Sequence, residues 1–311
     1  MESQKGQTLL IVVLVMVIGL TVSLFLVSRT ITNLRNSNEQ ANSQKAFSAA
    51  EAGVEKALQE GLCSSAPCPT FPPVTGSLNN NSASFNTTIE SLPSVSSSEF
   101  LFNNGDAVAK DDGVDLWLVD HKSDGSLNYS CASGNVNHNW QCVSGSPSLT
   151  FYWGSSSNSC TVDTAAVAAL ELVVLYELNA QTDNGASVKS TRYVYDPCSS
   201  RIGQNSFSLS LASGGGTVSN GASSETFNYS ALITIPNNSG ILVRVVPLYA
   251  STPIGVAVTN CPSGQCSLPN QGNLINSTGT SGKTTRVITV FQGYSEIPSE
   301  FFPYVLFAPT P

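Results

Sequence analysis

Hydrophobic and polar positions along this chain follow three patterns in turn. From Gln7 to Ser28 the sequence QTLLIVVLVMVIGLTVSLFLVS carries no charged residue. As a helix it spans about 33 Å, enough to cross the hydrocarbon layer of a membrane. Beyond Arg29 the pattern becomes amphipathic, through NSQKAFSAAEAGVEKALQEGL, and no proline interrupts it before Pro67. Phe47, Ala50, Val54, Leu58 and Leu62 recur at spacings of three and four, so they share one helix face, expected to be the buried one. Lys45, Glu55, Lys56 and Glu60 fall mostly on other faces. The two patterns predict a single helix over 7–62, with its transmembrane part at about 8–28 and a half-buried continuation.

The third pattern has a period of two. Gly61 and the proline cluster in CSSAPCPTFPPV end the helix, and residues 63 to about 85 read as a linker or pinned loop. Strands are predicted at VDLWLVD (114–120), SLTFYWG (148–154), AALELVVLYEL (168–178) and SVKSTRYVYD (187–196). The third of these also reads as a helix, but Asn184-Gly185 sets a hairpin turn after it and favours the strand. Past a break near Cys198-Ser-Ser-Arg-Ile-Gly-Gln come NSFSLSLAS, a turn at Gly214-Gly215-Gly216, and then FNYSALITIP, ILVRVVPLY, PIGVAVT and TTRVITVFQGY. The aromatic and proline-rich end, IPSEFFPYVLFAPTP, reads as an irregular closing strand. The expected class is α+β: a long N-terminal transmembrane and amphipathic helix, then a β-rich, disulfide-bonded globular region. That region is expected as two lobes, 63–200 and 201–311, or one split lobe.

Composition adds a compartment. Charged residues make up 11 % of the 311 residues and the net charge is −8, which offers no general basic patch for nucleic acid. All eight cysteines follow the apolar run: Cys63, Cys68, Cys131, Cys142, Cys160, Cys198, Cys261 and Cys266. An even set confined to one side of a membrane span reads as disulfides in an oxidising compartment. Proximity in sequence favours Cys63–Cys68, Cys131–Cys142 and Cys261–Cys266, leaving Cys160 with Cys198. Zinc is disfavoured because no CxxC pair occurs and His121 and His138 stand at no ligand spacing from a cysteine pair. By charge alone, Arg29 and Arg35 beyond the span and only Lys5 before it would argue for the reverse orientation. The cysteine-bearing, Ser/Asn-rich region argues for export.

The leader Met1-Glu2-Ser3-Gln4-Lys5-Gly6 directly before the apolar run resembles the class III signal of type IV prepilins. The segment QKAFSAAEAGVEKAL, Gln44 to Leu58, further resembles the N-terminal signature of PilX-type minor pilins, and related helices occur in the tip pseudopilins of type II secretion. The resemblance covers about the first sixty residues. It implies a leader of residues 1–6, cleavage by prepilin peptidase between Gly6 and Gln7, and methylation of the new amine of Gln7. It also implies a structural, non-enzymatic minor pilin or pseudopilin of a type IV pilus-like filament, placed at the tip or in assembly initiation. Its partners would be other pilins or pseudopilins, membrane lipid before assembly, and a surface or adhesion partner. The chain departs from major pilins at two positions, with Gln7 where the first mature residue is usually Phe and Ile11 where the fifth is usually Glu. This puts a role as the repeating subunit in doubt. An alternative reading is a membrane-anchored adhesin or carbohydrate-binding module that never enters a filament; another is an anchored hydrolase.

Little in the chain reads as catalytic. No Ser sits in a GxSxG elbow, and no cofactor is expected. The triple glycine lacks the lysine and helix start of a phosphate loop. Asp106, Asp111, Asp112, Asp115, Asp120 and Asp124 raise calcium as a question, though their spacing is not that of an EF-hand. Trp117, Trp140, Trp153 and Tyr129 would either fill β-cores or form a sugar- or partner-binding face, and core filling is the favoured reading.

Overall fold

A computed structural model describes residues 5–60, 73–78, 82–93, 97–122, 125–128, 147–155, 159–160, 164–177, 188–202, 210–211, 213–220, 223–235, 240–260 and 267–294. The helix α1 runs unbroken over Lys5–Glu60, 56 residues, or about 84 Å. Then come β1 (Val74–Leu78), β2 (Ala83–Leu92) and β3 (Glu99–Leu101), followed by β4 (Val114–Trp117), β5 (Asp120–His121) and β6 (Leu127–Asn128). Next are β7 (Ser148–Trp153), β8 (Ala169–Glu177) and β9 (Val188–Asp196), with the short helix α2 (Ser199–Ile202) after them. The remaining strands are β10 (Ser210–Leu211), β11 (Ser213–Ser219), β12 (Ser224–Thr234), β13 (Gly240–Leu248), β14 (Ile254–Asn260), β15 (Gly272–Ser281) and β16 (Thr284–Gly293). The α+β class holds, weighted towards β. Two units separate by contacts: one of 1–59, 73–88 and 276–289, the other of the remaining residues.

In the first unit, the second half of α1 lies on the sheet ordered β1-β2-β15-β16. The buried helix positions are Ala46, Ala49, Ala50, Gly53 and Ala57, while Phe47 and Leu58 are 48 % and 42 % exposed. This corrects the expected face. The predicted stripe of large residues lies to one side of the contact, and Val54 is only half-buried. The reason is distance. A Cβ built on Gly279 of β15 would lie 2.5 Å from Ala50 N and nearer still to Ala46 O, so helix and strand backbones meet with no side chain between them. Gly53 sits equally close to Ser277 and Thr87, whose hydroxyls bond each other at 2.9 Å. Only small residues permit such an approach. Asn42 and Ser43 extend the contact, bonding Ser281 and Arg286 respectively.

In the second unit, two five-stranded sheets, β10-β9-β8-β13-β4 and β11-β12-β7-β14-β3, each turn one face into a shared core. Leu170, Leu172 and Val174 of β8 and Val243 and Val245 of β13 meet Leu149, Phe151 and Trp153 of β7 and Ile254 and Val256 of β14. Successive side chains point to opposite faces, so alternate residues of β7 and β8 enter this core, while Val173 of β8 joins a smaller cluster with Trp117 and Leu242. Trp153 is fully buried and its indole N–H donates to Ala168 O at 2.9 Å.

Three further expectations change. Strands β1 and β2 occupy part of the stretch read as linker up to about residue 85; the proline cluster before them obscured the alternation Ala83, Phe85, Thr87, Ile89. The lobe boundary at 200/201 does not divide the sheets, since β13 pairs with β8 and β4, and β7 with β12 and β14. Gly214-Gly215-Gly216 lies inside β11 rather than in a turn, paired with β12. A Cβ on Gly216 would meet the Tyr152 ring at 2.6 Å, which accounts for one of these glycines. The helix, expected over 7–62, is observed to Glu60, and Leu62 lies outside the described residues, as does the expected closing strand at 297–311. The hairpin strands β8 and β9 do pair antiparallel, from Leu170↔Tyr195 to Glu177↔Val188.

The helix–sheet contact makes a direct prediction. Gly279→Ala should destabilise the full-length, detergent-solubilised protein by about 1–3 kcal/mol, as overpacking against an immobile backbone does. Phe47→Ala, at an exposed position, should change stability by less than about 1 kcal/mol. Urea denaturation followed by circular dichroism measures both.

Candidate functional site

The first half of α1 is the most chemically distinctive surface of the protein. Every large apolar residue from Leu9 to Val27 is exposed, among them Ile11 at 58 % and Met16 at 71 %. Gly6 and Gln7 lie within the first turns of the helix. Thr21 donates to Ile18 O at 2.8 Å and Ser23 to Gly19 O at 2.8 Å, with Thr30 and Thr32 bonded likewise to Leu26 O and Ser28 O. Hydroxyls satisfied by the preceding helical turn need no water, so they add little cost to burial in hydrocarbon. This is the one helix among the described residues long and apolar enough to cross a membrane, consistent with a single-pass anchor.

Cys160 and Cys198 form a disulfide with Cα atoms 5.3 Å apart. Closing that loop of 38 residues in sequence restricts the unfolded chain by roughly 3–4 kcal/mol on the chain-entropy account. A clamp surrounds it. Arg201 of α2 donates to the buried Asp196 at 2.6 and 3.0 Å and to Thr164 O and Val167 O at 2.6 and 2.9 Å, and lies 4.2 Å from the Tyr249 ring centre. Asp196 also accepts from Cys198 N at 2.8 Å. The other expected pairs, Cys63–Cys68, Cys131–Cys142 and Cys261–Cys266, lie outside the described residues.

Among the described residues, the aspartates raised as a calcium question are not gathered. Among the described residues no group of three or more His, Cys, Asp or Glu side chains is placed to hold a metal. Asp115 instead pairs with Arg244 at 3.4 Å, both almost wholly buried, and Asp111 pairs at the surface with Lys110 at 3.6 Å. Asp124 lies outside the described residues, as do His138, Trp140 and Tyr129. Glu171 and Arg192 form a second pair at 2.6 Å. Burial still raises the Glu171 carboxyl, only partly opposed by the charge and hydrogen bond of Arg192. Sequence reading missed these pairs, because their partners meet only across strands.

His121 is buried in an aromatic sandwich. The Tyr294 ring stacks on it at 3.7 Å and Trp117 meets it edge-on at 4.6 Å, so the two tryptophans described, Trp117 and Trp153, both fill cores. Among the described residues its Nδ1 has no hydrogen-bond partner, and burial pushes its pKa down to about 4.

Neither family models, curated proteins nor solved structures give a match to this chain.

The His121 environment fixes the sign of a pH effect. Unfolded, the imidazole binds a proton near pH 6.5; folded, it does so only near pH 4. The stabilising contribution of the neutral ring is therefore whole above about pH 6.5 and lost as pH falls towards 4. His121→Phe should remove on the order of 2 kcal/mol of the stability difference between pH 7 and pH 4.5. Chemical denaturation of both proteins at the two pH values measures it, and equal losses would exclude the histidine as the cause.

Proposed function

We infer that this protein is a minor pilin or pseudopilin, a structural subunit of a type IV pilus-like filament rather than an enzyme. The observation that carries the reading is α1 itself. One uninterrupted helix carries a fully exposed apolar half directly after Lys5-Gly6 and a second half laid on a β-sheet through small residues. In this reading the leader 1–6 is removed by prepilin peptidase. The apolar half then passes from lipid to the apolar core of a filament, and the β-rich region is exported and displayed. The transfer exchanges one apolar environment for another, and the internally bonded hydroxyls of Thr21 and Ser23 suit both. The mature chain should begin at Gln7 with a methylated amine. Intact mass spectrometry of membrane-extracted protein tests this, and a mature form that keeps Met1 to Gly6 in cells with active prepilin peptidase would sink it.

Ile11 refines the placement. In a filament core an amino-terminal ammonium among apolar helices wants an anionic neighbour, and the fifth mature position here offers an alkyl chain. Burying one unpaired ammonium costs several kcal/mol after relaxation, a penalty repeated at every contact of a homopolymer. At a filament end the contact is not required. The expected position is therefore the tip or the initiating complex, at low abundance. Gold labelling of a tagged copy should mark filament ends, and even labelling along the shafts at major-subunit density would end the tip placement.

A further inference from the structure

The last described strand, β16, ends the sheet order β1-β2-β15-β16, and no described strand pairs with its outer edge. It is ten residues long, TTRVITVFQG, with no proline and one charge, Arg286, which is engaged with Ser43. Val287 is 62 % and Phe291 44 % exposed. Folded proteins normally blunt such an edge with lysines, prolines or shortness, and β16 shows none of these. A long, regular, partly apolar edge is a template for another strand.

The sequence of β16 indicates which strand. Paired antiparallel with itself about Thr289, it sets Val287 opposite Phe291, Ile288 opposite Val290, Arg286 opposite Gln292 and Thr285 opposite Gly293. Apolar residues then face apolar ones, Thr289 faces its own copy, and the only charge faces an amide. Aromatic–β-branched and Thr–Thr pairs are among the stabilising cross-strand combinations, and no like charges oppose each other. We propose that β16 is a homotypic docking edge, through which two copies of this chain join their four-stranded sheets about a two-fold axis at Thr289.

The fold also sets the polarity of the pair. Along β15, Ser277 lies at Gly53, Gly279 at Ala46 and Ala50, and Ser281 at Asn42, so the strand runs antiparallel to α1. β16 turns back through Gly282-Lys283 and follows the direction of the helix. An antiparallel β16 pair therefore points the two α1 helices in opposite directions. Copies anchored side by side in one membrane cannot meet this way, whereas copies on two apposed surfaces can. The inference goes beyond the filament role and stands without it.

The test uses the full-length protein. Directly opposed residues of antiparallel strands have Cα atoms about 4.5–5.5 Å apart, within disulfide range. Mild oxidation of the detergent-solubilised Thr289→Cys variant should thus give a reducible dimer at least about ten times faster than Thr278→Cys, a control on the neighbouring strand β15. Val287→Lys, at an exposed position, should keep the wild-type melting temperature while weakening self-association about tenfold in sedimentation. Reconstituted into phosphatidylethanolamine–phosphatidylglycerol vesicles, the wild type should clump them and Val287→Lys should not. Equal crosslinking at residues 289 and 278, a monomer at every concentration, or clumping indifferent to Val287→Lys would each overturn the proposal. The crosslinking comparison decides even if the lysine variant fails to fold.

Discussion

The contact on which the amino-terminal unit depends is the approach of two backbones, with Gly279 on one side and Ala46 and Ala50 on the other. A helix ordinarily stands off a sheet by the thickness of two side-chain layers. Here the layer is removed at the crossing, and dispersion between closely packed main chains takes its place. The contact is therefore specified by what is missing. Ala46, Ala49, Ala50, Gly53 and Ala57 supply little hydrophobic area each, yet any larger residue would lift the helix and break the bonds from Asn42 and Ser43 at its edge. Lys56, which donates to Thr75 O at 3.2 Å and lies 5.9 Å from the Phe85 ring centre, closes the other end of the same contact.

That constraint explains which parts of the fold were legible in sequence. Where burial is achieved by large apolar and aromatic residues set against polar ones, as in SLTFYW, the alternation gives the strand and its inward face directly. ALELVVLYE carries apolar residues on both faces and needed the Asn184-Gly185 turn to be read as a strand. β15 escapes notice because its buried positions are Asn273, Ile275, Ser277, Gly279 and Ser281, mostly polar or absent side chains, covered by a helix for their smallness. The same inversion misplaces the helix face, since hydrophobic periodicity weights Phe47 and Leu58 above alanine. The apolar run and the Cys160–Cys198 pair were readable, the first because hydrocarbon thickness sets a length, the second because it remained after proximity had assigned the others. The Arg201 clamp was not readable, because it joins backbone oxygens 37 and 34 residues away.

In the second unit three ion pairs among the described residues are turned inward. Asp115–Arg244, Glu171–Arg192 and Asp196–Arg201 each place an arginine against a carboxylate that is at least largely buried. Such pairs add little net stability against an apolar replacement of equal volume, but losing one partner strands the other in a low dielectric. Arg244 lies over Gly113, where a Cβ would meet its Nη2 at 2.7 Å, so register between β4 and β13 is tied to one guanidinium. A slip by one residue would bury an unpaired arginine.

The helix α1 thus meets two environments by two different means within one secondary structure. Its second half holds to a sheet by shape, and a single added methyl group at Gly279 would be felt there. Its first half is exposed among the described residues: Thr21 and Ser23 bond back onto the helix, and the rest of the surface from Leu9 to Val27 is almost wholly apolar. Packing of such a surface is set by whatever apolar partner is at hand and carries little directional information of its own, unlike the glycine contact below it. Specificity for neighbouring molecules must then come from groups that are not interchangeable with lipid. In the proposed role these would be the terminal amine left by removal of the leader and the charges at Arg29 and Arg35. In that role the residue at position 11 would decide whether the amine is answered by a copy of the same chain, and isoleucine offers no charge to answer it. In the proposed filament role such a subunit would need a differently equipped neighbour wherever its amine is buried, and its place in the assembly would be set by that neighbour's acid rather than by its own long helix.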